Sequence, residues 1–253
     1  MTRVLSGVIL AASALAAVIF LPTFWLRLIA ALVAFLAAGE YRRLVGARAR
    51  VDVASGVVAL VVSEPMAQWN PLGVLLVFVG VGVAGGVLRG DSIQRAAGEM
   101  WALIYVGLPL GLLVLVHGLA GSESVLLLLF TVVVSDTAQY YSGRLFGRRP
   151  LAPAISPKKT IEGAAGGVLV GTLFFAAAGR VVLPFARPGM LAGAGLLLVI
   201  AGILGDLFES RLKRDADVKD SSSLIPGHGG VLDRIDALLF AIPVFYLFLN
   251  ELM

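Results

Sequence analysis

The run Val125-Leu126-Leu127-Leu128-Leu129-Phe130-Thr131-Val132-Val133-Val134, closed by Ser135-Asp136, decides the class of fold. With its flanks it forms an apolar segment over 123–141. A hydrocarbon core of about 30 Å needs roughly 20 helical residues at about 1.5 Å each, so the segment predicts a transmembrane helix. An aspartate at that depth costs about 2.5–3.5 kcal/mol on insertion, and Asp136 is expected to face the bundle interior beside a partner. A structural hydrogen bond between helices is the plainer alternative role for it.

Outward from this run, the same pattern recurs at 4–21, 23–39, 52–64, 72–88, 100–117, 163–180, 188–207 and 235–252. The predicted fold is therefore all-α, a polytopic transmembrane helix bundle of about nine spans. The segment 52–64 is short and ends at Glu64-Pro65, which also suits a partial or tilted insertion. The first segment, with Arg3 ahead of an Ala-rich run, can also be read as a cleavable signal peptide. Cleavage near Ala14-Leu15-Ala16 would leave a short signal core and the same remaining topology.

Composition agrees. Of 253 residues, 59% are hydrophobic and 14% charged, which excludes an ordinary soluble globule and a disordered chain. The 30 glycines and 11 prolines follow no triplet repeat, so the chain is not collagen-like. With no cysteine, disulfides, thiolate nucleophiles and Cys-bound metals are excluded. The net charge of +4 reads as topology signal and contact to phosphate-bearing lipids or substrates, with no nucleic-acid partner.

Nine spans place 17 of the 20 basic residues on the side of the N-terminus, leaving Arg27, Arg180 and Arg187. By the positive-inside rule, the N-terminus is expected in the cytoplasm and the C-terminus outside. The chain divides into N-terminal transmembrane helices over 1–120 and a catalytic transmembrane region over 121–253. The first 130 residues are expected to hold no carboxylate that must sit inside a span. The chemistry is assigned to the second half, and no inverted repeat of the transporter kind is visible.

Two further stretches carry polar groups. Ser156-Pro157-Lys158-Lys159-Thr160-Ile161-Glu162-Gly163 precedes a predicted helix, where free N–H groups, two lysines and a hydroxyl suit an anion, with Thr160 a plausible cap. Headgroup contacts plus ordinary capping would give the same pattern. The densest stretch, Gly205 to Asp236, holds seven of the 16 carboxylates and five Lys/Arg. Asp206, Glu209 and Lys213 share a helix face, as do Asp233 and Asp236. Hard oxygen ligands without a His or Cys cluster point to Mg²⁺, with a second divalent or monovalent cation allowed. Gly227, Gly229 and Gly230 around His228 would let backbone approach a phosphate.

The pattern S-x-L-K-R-x4-K-D-x5-P-G-H-G-G-x2-D-R-x-D over 210–236 resembles the signature of phosphatidate cytidylyltransferases, also called CDP-diacylglycerol synthases. The 156–163 stretch and the set Asp136, Tyr140, Gly143, Arg144, Phe146, Gly147 resemble that family's upstream motifs. The resemblance covers about 130–240. The N-terminal half agrees only in hydropathy and in the Glu40-Tyr41 turn. Gln139 departs from the small residue usual before the aromatic of the Asp136 motif.

The resemblance implies that CTP and phosphatidic acid give CDP-diacylglycerol and pyrophosphate. It implies Asp206 and Asp233 as metal ligands, with Asp236 and Asp220 as helpers and Lys219 and His228 in the catalytic set. Lys158, Lys159, Lys213, Arg214 and Arg234 would divide between triphosphate and lipid phosphate, with Thr160, Asp136, Gly229 and Gly230 lining the substrates. A homodimer in the plasma (inner) membrane of a bacterium, with a cytoplasmic site, is expected. The competing readings are a CTP-dependent polyprenol or phytol kinase, which would need a base to activate a hydroxyl, and a transporter. Charge gathered at one end of the bundle, rather than along a path across it, disfavours the transporter.

Overall fold

A computed structural model describes residues 2–47, 50–63, 71–88, 90–225, 227 and 229–252. The described chain is almost entirely helical, with one two-stranded hairpin. The helices are α1 (Thr2–Phe20), α2 (Thr23–Leu44), α3 (Val51–Val62), α4 (Pro71–Leu88) and α5 (Ile93–Ala102). After a π-helical turn, Leu103–Gly107, come α6 (Leu108–Phe146), β1 (Pro150–Ala152), β2 (Ser156–Thr160), α7 (Ile161–Val182), α8 (Pro188–Asp215) and α9 (Leu232–Asn250). Each apolar segment read from the sequence falls on a helix. Thr23–Leu44, Ala96–Phe146, Ile161–Val182 and Pro188–Asp215 are long and apolar enough to cross a bilayer, and the chain is an integral membrane protein. The 12 residues of α3 rise only about 18 Å, and Glu64 and Pro65 lie outside the described residues.

The chain forms two compact units. The first comprises Met1–Leu119 and Asp215–Ile235, the second Ala120–Arg214 and Asp236–Met253. Near their junction α6 breaks at Gly121, whose φ of 77° no β-carbon-bearing residue adopts cheaply. That break is why a 39-residue helix reads in sequence as two spans.

In the first unit, Ala34, Ala37 and Ala38 on α2 are wholly buried, as are Val58 and Ala59 on α3. The Tyr41 hydroxyl donates to the Gly98 carbonyl at 2.9 Å, tying α2 to α5. Three carboxylates are buried here, Glu40, Asp52 and Glu99, each at the edge of an expected span or just beyond it. Helix α2 continues to Leu44, beyond the expected end at 39, and the buried charges are partnered. Asp52, for example, meets Arg50 at 3.2 Å and Arg42 at 3.9 Å.

In the second unit, Phe175 of α7 packs edge-on against Phe245 of α9 at 5.9 Å, beside buried Leu191, Leu198, Leu239 and Ile242. A stripe at four-residue spacing, Gly163, Gly167 and Gly171, brings α7 against α6. A methyl group added at Gly163 would stand 2.8 Å from the Gln139 carbonyl oxygen, and one at Gly167 would stand 3.0 Å from that of Ser135. Small residues at this spacing let two helix backbones meet. The contact sets Asp136, Gln139, Tyr140, Gly143 and Arg144 beside the start of α7. At 28 residues, α8 is about 42 Å long and outruns a 30 Å hydrocarbon core, so it carries Glu209 to Arg214 in its last turns.

Candidate functional site

The stretch 156–163 is not a plain loop before a helix. Its first five residues form β2, antiparallel to β1, and the strand runs directly into α7. Thr160 is the N-cap, its Oγ1 accepting the Gly163 N–H at 3.1 Å, as its position before a glycine-rich helix predicts. Glu162 in the first turn accepts the N–H groups of Arg148 and Arg149 at 3.0 and 3.2 Å, and Nε of Arg149 at 3.2 Å. The carboxylate therefore holds the entry to β1 to the start of α7.

A pocket of about 510 Å³ opens beside this hairpin, wholly within the second unit. Its lining includes Asp136, Gln139, Tyr140 and Arg144 of α6, Lys158, Lys159 and Thr160 of β2, and Asp206 of α8. Lys159 pairs with the Asp206 carboxylate. Asp136 has its partner in Gln139, whose Nε2 donates to Oδ1 at 2.9 Å. Tyr140 and Arg144, quoted in the upstream motif but given no role, belong to the lining, with the Arg144 Nη1 3.4 Å from the Tyr140 hydroxyl.

On α8 and α9, Gly205 lets the helices touch, since a methyl group there would run 2.5 Å from the Asp236 carbonyl oxygen. Asp136 and Asp236 both lie within electrostatic reach of Asp206, with Lys159 acting on Asp136 and Lys213 on Asp236. Lys213 also pairs with the buried Glu209 one turn away. Arg214 donates through Nε to the Ile155 carbonyl at 3.3 Å, tying the end of α8 to the hairpin. Among the described residues no three His, Asp or Glu side chains form a ready cage for a metal. The acids of this unit nonetheless suit a hard cation, because Mg²⁺ is commonly held by one or two carboxylates and completes its shell with water and substrate phosphate.

The rest of the signature belongs to the first unit. Asp233, in the first turn of α9, accepts through Oδ2 from Ser221 N at 2.9 Å, Ser221 Oγ at 2.8 Å and Gly230 N at 2.7 Å. The Gly230 N–H is thus engaged by protein, and a methyl group at Gly230 would run into Ser221 and Glu40. Gly229 has a φ of 81°, and a side chain there would meet Asp233. Lys219, Asp220 and Arg234 are exposed, while His228 lies outside the described residues.

The group whose role sequence reasoning missed is Glu40, noted there only within the Glu40-Tyr41 turn. It is 3% exposed and accepts hydrogen bonds from Ser221, Ser222, Val231 and Leu232. The local signal is an acid ending an alanine-rich apolar run.

Comparison with known proteins places these residues in a wider set. A family model described as "Cytidylyltransferase family" matches residues 1–252. Among curated relatives, a phosphatidate cytidylyltransferase of Aquifex aeolicus is 46% identical over 124 residues, 48% of this chain and 45% of that protein. One of Bacillus subtilis is 37% identical over 153 residues, 58% and 56% of the two chains. The chain thus spans about half the length of these two relatives. One of Pseudomonas aeruginosa is 34% identical over 256 residues, covering 96% of this chain and 94% of that protein.

Proposed function

Because this chain belongs to the cytidylyltransferase family, we propose that it transfers the cytidylyl group of CTP to phosphatidic acid, giving CDP-diacylglycerol and pyrophosphate. The observation that carries the reading is the pocket where Lys158, Lys159 and Arg144 gather beside Asp206 and the capped start of α7, in a chain whose helices are built for lipid.

A phosphate oxygen of phosphatidic acid attacks the α-phosphorus of CTP in line. The new P–O bond forms as the bond from the α-phosphorus to the bridging oxygen breaks, and pyrophosphate leaves with that electron pair. The attacking phosphate is ionised near neutral pH, so no residue need act as general base. The work left to the protein is to gather several negative charges and fix their geometry.

Lys158 and Lys159 supply positive charge at the pocket, and Lys213, Arg214, Lys219 and Arg234 share the remaining contacts to triphosphate and lipid phosphate. The family signature supports Asp206, Asp233 and Asp236 as the proposed ligands for Mg²⁺, which when bound would supply charge neutralisation and a stabilised leaving group. Asp220 and His228 are retained as helpers from the family signature.

The same reading gives nine crossings, a cytoplasmic N-terminus and site, an external C-terminus, the bacterial inner membrane as location and a homodimer as assembly. The charge asymmetry supports the topology, and the family resemblance supports the dimer.

The full chain in detergent, given CTP, Mg²⁺ and phosphatidic acid, is expected to release pyrophosphate only when phosphatidic acid is present. Release of CDP on addition of a polyprenol or other lipid alcohol, without pyrophosphate from phosphatidic acid, would overturn the reading.

A further inference from the structure

The loop bearing the long signature is shaped by a carboxylate from a distant helix. Glu40 Oε1 accepts from Ser222 Oγ at 2.7 Å and Val231 N at 3.0 Å, and Oε2 accepts from Ser221 Oγ and Leu232 N, both at 2.8 Å. Val231 and Leu232 stand at the start of α9, where N–H groups lack intrahelical partners and the dipole favours negative charge. Glu40 therefore caps α9 from α2. Within the same unit, the Ser221 hydroxyl lies 2.8 Å from Glu40 Oε2 and 2.8 Å from Asp233 Oδ2, so its single hydrogen is shared between the two carboxylates and links them.

Apolar packing can hold a loop as firmly as a buried ion and avoids the desolvation cost. It cannot set the rotation of a neighbouring carboxylate. Glu40 does so through Ser221, whose N–H and hydroxyl both end on one oxygen of Asp233. Gly230 supplies the third bond to that oxygen, and only glycine fits between Ser221 and Glu40 there.

We propose that Glu40 is a positioning residue for cytidylyl transfer, fixing the loop 221–232 and, through Ser221, the orientation of Asp233. The proposal rests on the functional reading of Asp233 given above. Glu40 itself is buried, with both its oxygens turned to this loop.

The test compares the full chain with Glu40→Gln and Ser221→Ala in detergent. Glutamine keeps the shape of Glu40, but its NH₂ group faces two donors. A serine hydroxyl can turn to accept from it, whereas the N–H of Val231 or Leu232 cannot and is left unpaired. Folded Glu40→Gln is expected to lose about tenfold or more in kcat, with KM for CTP and phosphatidic acid changed by less than about threefold. Its Mg²⁺ requirement should rise, and amide exchange across 221–232 should quicken by about tenfold. Ser221→Ala orphans no backbone donor, so it should lower kcat while exchange at Leu232 stays slow.

A folded Glu40→Gln with wild-type kcat and Mg²⁺ dependence would overturn the proposal even if its Tm fell, because Glu40 would then only stabilise the fold. If Glu40→Gln does not fold, wild-type kcat in Ser221→Ala overturns it. A wild-type chain that makes no cytidylylated lipid would instead sink the functional reading, and unchanged exchange in Glu40→Gln would then overturn the positioning role on its own.

Discussion

Lys159, the penultimate residue of β2, pairs with the carboxylate of Asp206 on α8, 47 positions later in the chain. The pair ties the hairpin to the helix that carries the first acid of the 205–236 stretch. It gives the pocket one fixed positive and one fixed negative charge on the same wall.

Removing the lysine should therefore hurt the reaction more than the fold. Lys159→Ala is expected to lower kcat/KM by about 10²-fold, the scale for losing one aimed donor at a developing charge. Lys159→Arg should restore part of it. Steady-state kinetics in detergent, with Tm measured alongside, checks this, and a near wild-type kcat/KM for Lys159→Ala would remove Lys159 from the site.

The glycine stripe of α7 predicts a contrast in stability. Gly167→Ala places a methyl group against Gln139 and 3.0 Å from the Ser135 carbonyl oxygen, and should cost about 1–3 kcal/mol through forced separation of α6 and α7. Gly193→Ala in α8 meets nothing within 4 Å and should be neutral or stabilising by up to about 1 kcal/mol. Thermal unfolding of the two variants in one detergent measures the difference.

Thr160 joins hairpin to helix. Thr160→Ala removes the bond to Gly163 N and should cost about 1 kcal/mol of stability, with a rise in KM for CTP as the strand end loosens. Thr160→Ser should keep both, since the hydroxyl is what caps the helix. Equal defects in the two variants would mean that the methyl group, packed near Gly147, matters more than the cap.

Gln139 lines the pocket beside Asp136. Its amide bond to Asp136 is a single hydrogen bond to a charge, so Gln139→Ala should reduce kcat/KM by at most about tenfold. A loss beyond about 10²-fold would show that this chain relies on Gln139 for more than orienting Asp136.

The helices were legible because each apolar run announces itself through length alone, and the break between the fifth and sixth spans coincides with Gly121. Thr160 as a cap was legible for the same local reason. The hairpin was not, since Pro150–Ala152 and Ser156–Thr160 are only three and five residues long and show no strand alternation, and their pairing is stabilised by Glu162 reaching back to Arg148 and Arg149. Glu40 was hidden more deeply. Its four donors lie between Ser221 and Leu232, about 180 to 190 residues away, and no local pattern encodes contacts of that range. For the same reason Gly230 read as a phosphate-approach glycine, while in the fold its N–H is bonded to Asp233 and its missing side chain makes room for Glu40.

The central claim is that the α-phosphorus of CTP, and not its γ-phosphorus, ends on the lipid. Mass spectrometry of the lipid formed from CTP and phosphatidic acid by the purified chain tests this most directly. The expected product is heavier by one cytidylyl group, with one pyrophosphate released for each lipid converted. A lipid heavier by a single phosphate, with CDP as the co-product, would contradict it.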